Sequence, residues 1–261
     1  MIANTVIVFL RDILPIFILY SYISAMSFKP IQNASFAWAK LSILGILTTL
    51  ILYSFIEAIS ESFAGAGIEV FYSAALTVMW LSLSIATLLS NKHENALSSL
   101  LLAAGIVVFI TLKGAGFLIY FGVSGQTSSN LFSVFLGCVI GIGICISFSL
   151  LLKFLLSEIA QSRSNWPLSF LWYAFLAGQF SQVIGLLSQV DYINDSPPLF
   201  AMNAYINDAS EYGHVLNALL GYESSPSLAF IGFYLTVLCL PIGLQLLLQK
   251  SPLHTLLEGN K

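Results

Sequence analysis

Val6-Ile7-Val8-Phe9-Leu10-Arg11-Asp12-Ile13-Leu14-Pro15 sets a cation beside an anion inside a run, Ile2 to Met26, that is otherwise mostly apolar or small. A run of that length and character reads as a membrane-crossing helix. An ionised side chain near the middle of such a helix costs about 2.5–3.5 kcal/mol on insertion scales, so two neighbouring ones must face protein or water rather than lipid. Pro15 adds to this, because its missing N–H leaves the carbonyl of Arg11 without its usual intrahelical donor. Charge and freed backbone therefore coincide on one turn, an arrangement often found in transport sites.

The rest of the chain extends that reading. Of 261 residues 58% are hydrophobic and only 8% charged, with a mean hydropathy of +0.92, which excludes an ordinary soluble domain. The expected class is all-α: one integral membrane domain, residues 1–261, with seven transmembrane helices at roughly 2–26, 37–58, 66–90, 97–122, 131–156, 167–188 and 227–248. The opening span is read as uncleaved, since its charges lie inside the apolar region and no small-residue cleavage site ends it. Cys138, Cys145 and Cys239 all fall within apolar spans and read as small packing residues.

Lys29 and Lys40 flank the first break between spans, Lys92 lies in the third, Lys153 and Arg163 flank the fifth, and Lys250 and Lys261 follow the last span. The second, fourth and sixth breaks contain neither Lys nor Arg. The positive-inside rule then places the N-terminus outside and the C-terminus in the cytoplasm. Most acidic residues fall on the outer side, where they concentrate cations or simply form the polar cover of a loop. The long outer connection, 189–225, carries the turn signal Asn194-Asp195-Ser196-Pro197-Pro198 and a short helix from about Ser210 to Leu220, ended by Gly221. Phe9-Leu10-Arg11 with its following run to Tyr20 is echoed by Phe109-Ile110-Thr111-Leu112-Lys113 and its run to Tyr120. Spans one to three and four to six thus read as inverted repeats with one span added, placing Lys113 opposite Arg11 and Asp12 as a second partner for the carboxylate.

Three stretches resemble the high-affinity iron permeases, which work beside a ferroxidase or a periplasmic iron-binding protein. They are the opening Val6–Pro15 segment, the acidic start of the third span from Glu61 through Glu69 to Trp80, and His214–Tyr222 followed by Pro226-Ser227-Leu228. The resemblance covers nearly the whole chain in span order and implies a seven-span bundle of a bacterial inner membrane. It further implies import of iron or another metal cation, with iron as cargo rather than resident cofactor, and a partner of the periplasmic iron-binding or ferroxidase-like kind. The family's first and fourth spans carry Arg-Glu-x-x-Glu motifs. Here the first retains Arg11, with Asp12 and Pro15 in place of the glutamates, and the fourth has become Lys113-Gly114-Ala115-Gly116-Phe117. Arg11, Asp12 and Lys113 sum to +1, against −2 for two intact motifs, whereas a hard iron cation prefers anionic oxygen ligands.

The transport path expected from the sequence is thus Arg11, Asp12 and Lys113. Glu57, Glu61 and Glu69 gather cations at its mouth, and Asp12, Glu57, Glu61 and Glu69 are the candidate metal ligands. Glu57 and Glu61 share a helical face, and Glu69 joins them if the helix survives Gly65 and Gly67. Gly137-x-x-x-Gly141, with Gly143, reads as a close-packing face within the bundle or between copies in a homo-oligomer. Gln126, Gln179, Gln182 and Gln189 read either as a polar vestibule or as interhelical hydrogen bonding. An enzyme is not expected. Gly122-Val123-Ser124-Gly125 matches an intramembrane serine protease pattern, but His93, His214 and His254 all fall outside the spans, so the serine lacks a base. The same distribution excludes a bis-histidine haem, and neither an H-E-x-x-H zinc motif nor a nucleic-acid-binding pattern occurs. Two other readings stand beside the permease: a non-transporting subunit that binds a partner protein, and a transporter of an anionic or neutral solute.

Overall fold

The computed structural model describes residues 2–26, 35–90, 96–127, 131–161, 166–193 and 197–250. The described chain is almost entirely helical, with a single isolated antiparallel bridge between Pro198 and Ser227. The helices are α1 (Ile2–Ala25), α2 (Ser35–Ser54), α3 (Ile56–Ser60), α4 (Gly67–Ser90), α5 (Ala96–Thr127), α6 (Leu131–Gln161), α7 (Trp166–Gln189), α8 (Glu211–Leu220) and α9 (Leu228–Lys250). Among the described residues six of these, α1, α4, α5, α6, α7 and α9, are long and apolar enough to cross a membrane. Helix α2 carries a further apolar stretch, Trp38–Ser54. It stops at Ser54, not near residue 58 as its hydropathy suggests, because Phe55 leaves helical geometry (φ −102°, ψ 5°) before α3 begins. Lys29, Lys92, Arg163 and Lys261 lie outside the described residues, as do His93 and His254.

The opening helix contains a departure that its sequence only hints at. Phe9–Ile13 is π-helical, and the Leu14 N–H donates to the carbonyl of Phe9, five residues back. Pro15 then stands near the start of the next α-helical segment, where no N–H is needed. The backbone ladder is thereby shifted by one residue just ahead of Pro15, and the Phe9 carbonyl also accepts a weak bond from the Cys145 thiol at 3.7 Å. π turns of this kind concentrate at functional positions.

Small residues set the helix spacing. A Cβ on Gly137 would lie 2.8 Å from Thr5, and one on Gly141 would lie 2.6 Å from the Phe9 ring, so the G-x-x-x-G face binds α6 to α1 within the bundle. Further along the same pair, the hydroxyls of Ser21 and Ser149 meet at 2.8 Å. Gly45 and Gly114 do the same for α2 and α5, against Ile110 and Thr49, with Thr48 and Thr111 in hydrogen bond between them. Helix α4 packs on α5 and α7, and α7 carries the fully buried Trp172, Phe175 and Leu176. Outward, Phe135, Leu151 and Phe154 of α6 and Ile43 of α2 are open, the surface that a bilayer covers. Gly141→Leu is expected to push α1 off α6, at an overpacking cost of about 1–3 kcal/mol. Gly143, with open space around it, tolerates the same change. Thermal unfolding of the two variants in detergent checks the contrast.

Helix α8 forms where its caps place it. Ser210 accepts from the Gly213 N–H at 3.0 Å, and Gly221 closes the other end in the left-handed region (φ +70°). The flanking connection is folded around Ser224, which is fully buried. Its N–H donates to Asp208 Oδ1 at 2.8 Å and its hydroxyl to Asp208 Oδ2 at 2.6 Å, while Asn203 touches the same hydroxyl. Tyr222 donates its hydroxyl to the Ile206 carbonyl. The helix does not project from the bundle. It packs on α7 and on the π turn of α1, with Gly221 against Gly178 near the middle of α7.

Candidate polar centre at the π turn

The wide turn of α1 carries Arg11 and Asp12, and α5, α6 and α8 close around it. Arg11 donates Nε to Asp12 Oδ1 at 3.0 Å and Nη2 to Oδ2 at 2.8 Å, a bidentate pair. The two members differ in exposure. The Asp12 side chain is 9% exposed and that of Arg11 52%, so the carboxylate is enclosed and the guanidinium opens outward from it. Gly116 of α5 faces the carboxylate: a Cβ at that position would lie 3.6 Å from Asp12 Oδ2, an ordinary contact. Spans one and four are therefore neighbours, as the repeat reading requires.

Lys113 is buried one turn back on α5, within Coulombic reach of Asp12 and Arg11. Its hydrogen bond goes elsewhere. Nζ donates to Gln182 Oε1 at 3.1 Å, Gln182 Nε2 donates to Gln179 Oε1 at 3.3 Å, and Gln179 Nε2 donates to the Ala218 carbonyl at 3.0 Å. The expected triad of Arg11, Asp12 and Lys113 thus becomes a bidentate pair plus a separate amide relay. The relay ends on the last turn of α8, whose carbonyls lack intrahelical donors and carry the negative end of the helix dipole. A buried cation is in this way coupled through two amides to a partial negative charge. Gln179 and Gln182 are hence interhelical linkers rather than a vestibule lining, while Gln189 is exposed and the Gln126 and Ser124 side chains lie outside the described residues. His214, on α8, is half-buried. Burial and then the Arg11 charge pull its imidazole below the ordinary value, outweighing Asp208, Glu211 and Asp12.

The expected mouth residues are placed differently. Glu57 of α3 and Glu61, which caps the C-terminal end of that helix, are both exposed, with the Glu61 N–H bonded to the Glu57 carbonyl at 3.1 Å. The helix does not survive to Glu69. Ser62 is extended, and Phe63, Ala64 and Gly65 take left-handed φ values of 51°, 59° and 92°. Glu69 instead sits in the first turn of α4, favourable for a carboxylate. Its Oε2 is buried without a protein partner. Among the described residues no three His, Cys, Asp or Glu side chains come close enough to hold a metal ion, so Asp12, Glu57, Glu61 and Glu69 do not converge.

One set of polar groups escaped the sequence reading. Tyr72, Ser73, Trp80 and Ser84 of α4 and Tyr173 of α7 each bury a polar atom with no protein partner. The signal was available in the spacing of Glu69, Ser73, Trp80 and Ser84, which recur on one side of a helix otherwise read only for its hydropathy. Comparison with protein-family models, curated proteins and solved structures finds no match for the chain.

Proposed function

We propose that the chain is a membrane permease, a seven-span bundle in which α2 is the remaining crossing and whose cargo passes the π turn of α1. The observation that carries this reading is the convergence of a cation–anion pair, a buried lysine and an amide relay inside a helical bundle with an apolar exterior. Intramembrane charge is costly and is retained where it works. The exchange of partners, α1 on α6 and α5 on α2, supports inverted repeats, and the lysine and arginine distribution supports an outer N-terminus and a cytoplasmic C-terminus.

Two cargo readings compete. The resemblance to iron permeases favours import of iron or another metal cation across a bacterial inner membrane, with Asp12 on the path and Glu57, Glu61 and Glu69 drawing cations towards it. The geometry favours an anionic or neutral polar solute: both Asp12 oxygens are taken by Arg11, and Lys113 brings the centre to +1. Uptake by liposomes containing the purified protein separates them. An anionic or neutral cargo predicts no iron(II) accumulation above protein-free vesicles, and loss of solute uptake in Lys113→Met. Iron uptake that disappears in Asp12→Ala reverses the choice. No uptake of any solute, with a second protein co-purifying, points to the partner-binding subunit instead.

A further inference from the structure

We infer that the inner face of α4 holds a file of water molecules that conducts protons along the bundle interior. The carrying observation is a contrast between buried hydroxyls. Ser21, Thr49, Thr87 and Ser181 each bond to a carbonyl three or four residues back in their own helix, the usual way an apolar helix accommodates such a group. Ser73 and Ser84 do not, although both are more than nine-tenths buried, and neither do Trp80 Nε1 and Tyr173 OH, buried to the same degree, find a protein partner. Glu69 Oε2 and Tyr72 OH complete the set.

These atoms are arranged, not scattered. At 100° per residue Glu69, Ser73, Trp80 and Ser84 fall within about 60° of one another around α4, with Tyr72 beside them. From Glu69 to Ser84 the helix rises about 22 Å, most of a hydrocarbon core of about 30 Å. A buried hydroxyl or indole N–H left without a partner is strongly disfavoured, and water in a polar interior site relieves it by making two to four hydrogen bonds. Serine and tyrosine hydroxyls both donate and accept, whereas the indole only donates and so anchors a water oxygen. The file begins at a carboxylate, Glu69, and passes Tyr72, which lies within Coulombic reach of Asp12. Both carboxylates thus stand at the Tyr72 end, and the file leads from them toward Ser84 through hydroxyls that both donate and accept, the groups along which protons hop when water bridges them. The Trp80 ring, stacked on Phe180 at 5.2 Å, walls the file on the α7 side.

The inference does not depend on the cargo, because both of its tests are read with no transported solute present. Millisecond X-ray hydroxyl-radical footprinting of the full chain in lipid nanodiscs marks side chains that touch internal water. Trp80, 7% exposed, is expected to be modified about tenfold faster than Trp172, a fully buried indole whose Nε1–H is held by Thr87 at 3.0 Å, a ratio larger than that small difference in exposure accounts for. In liposomes loaded with a pH-sensitive dye, a potassium diffusion potential is expected to drive proton entry through the protein. Ser84→Val lowers that flux about tenfold, the factor that about 1.4 kcal/mol, one lost hydrogen bond, represents in a rate. Ser54→Val, at an exposed position, leaves it unchanged. Equal labelling of Trp80 and Trp172 overturns the water file. Labelling with a proton flux no greater than that of protein-free vesicles, or one that Ser84→Val leaves intact, overturns conduction.

Discussion

Gly178→Val detaches α8 from the bundle and destabilises the protein by at least about 3 kcal/mol, the upper part of the overpacking range. A Cβ at Gly178 would stand 2.4 Å from both the Gly221 nitrogen and the Leu220 carbonyl carbon, so it meets backbone and no rotamer change relieves it. The partner glycine is constrained as well. Gly221 closes α8 at φ +70°, where an L side chain costs about 1–2 kcal/mol, and its own Cβ would lie 2.3 Å from Gly178 Cα. Separation at this contact also breaks the Gln179–Ala218 hydrogen bond and with it the relay that serves Lys113. Thermal unfolding in detergent, together with limited proteolysis between residues 197 and 227, reads the effect. Gly185→Val, on the same helix but with open space around it, is the control expected to behave as the parent protein. A Gly178→Val protein that melts with the parent and resists proteolysis equally would mean that α8 does not dock on α7.

The second large effect is at the ion pair, where the order of the variants is the test. Arg11→Leu leaves the enclosed Asp12 carboxylate without its bidentate donor, and removing one member of a buried pair costs about 3–5 kcal/mol. Because the guanidinium is about half exposed, the lower end of that range applies. Removing both charges together, in Arg11→Leu with Asp12→Leu, is expected to restore most of the lost stability, since well-packed apolar side chains often replace a buried pair at little cost. On the proposed permease reading, the double variant is nevertheless expected to lose solute uptake in liposomes. Stability recovered without function would separate a pair kept for its chemistry from one kept for packing. If the double variant is instead less stable than Arg11→Leu, the pair is not an isolated unit and Lys113 is the true counter-ion of Asp12.

Much of the architecture can be read along the chain. A mean hydropathy of +0.92 and runs of about 20 apolar residues require helices that satisfy their own backbone in lipid, and six such helices are present among the described residues. The ends of α8 follow from Ser210 and Gly221, because capping depends only on residues within one turn. Gly137 and Gly141 announce a close contact, though not that α1 is the partner. Pro15 signals a disturbed ladder, and the disturbance takes the form of a π turn. The break after Glu61 was legible only as an uncertainty about Gly65 and Gly67, and the left-handed residues include Phe63 and Ala64, which carry no such signal.

What the sequence by itself determined is local: which segments are apolar enough to be helices, where their caps stop them, and that Arg11, Asp12 and Lys113 cannot face lipid. The tertiary structure alone decided that Lys113 bonds to Gln182 and not to Asp12, that α8 turns back onto Gly178, and that the polar stripe of α4 faces inward. Hydropathy and capping are set by neighbours within a turn or two. Meetings between polar atoms on different helices are set by helix rotation and depth, which depend on how glycine and side-chain surfaces from distant parts of the chain fit together.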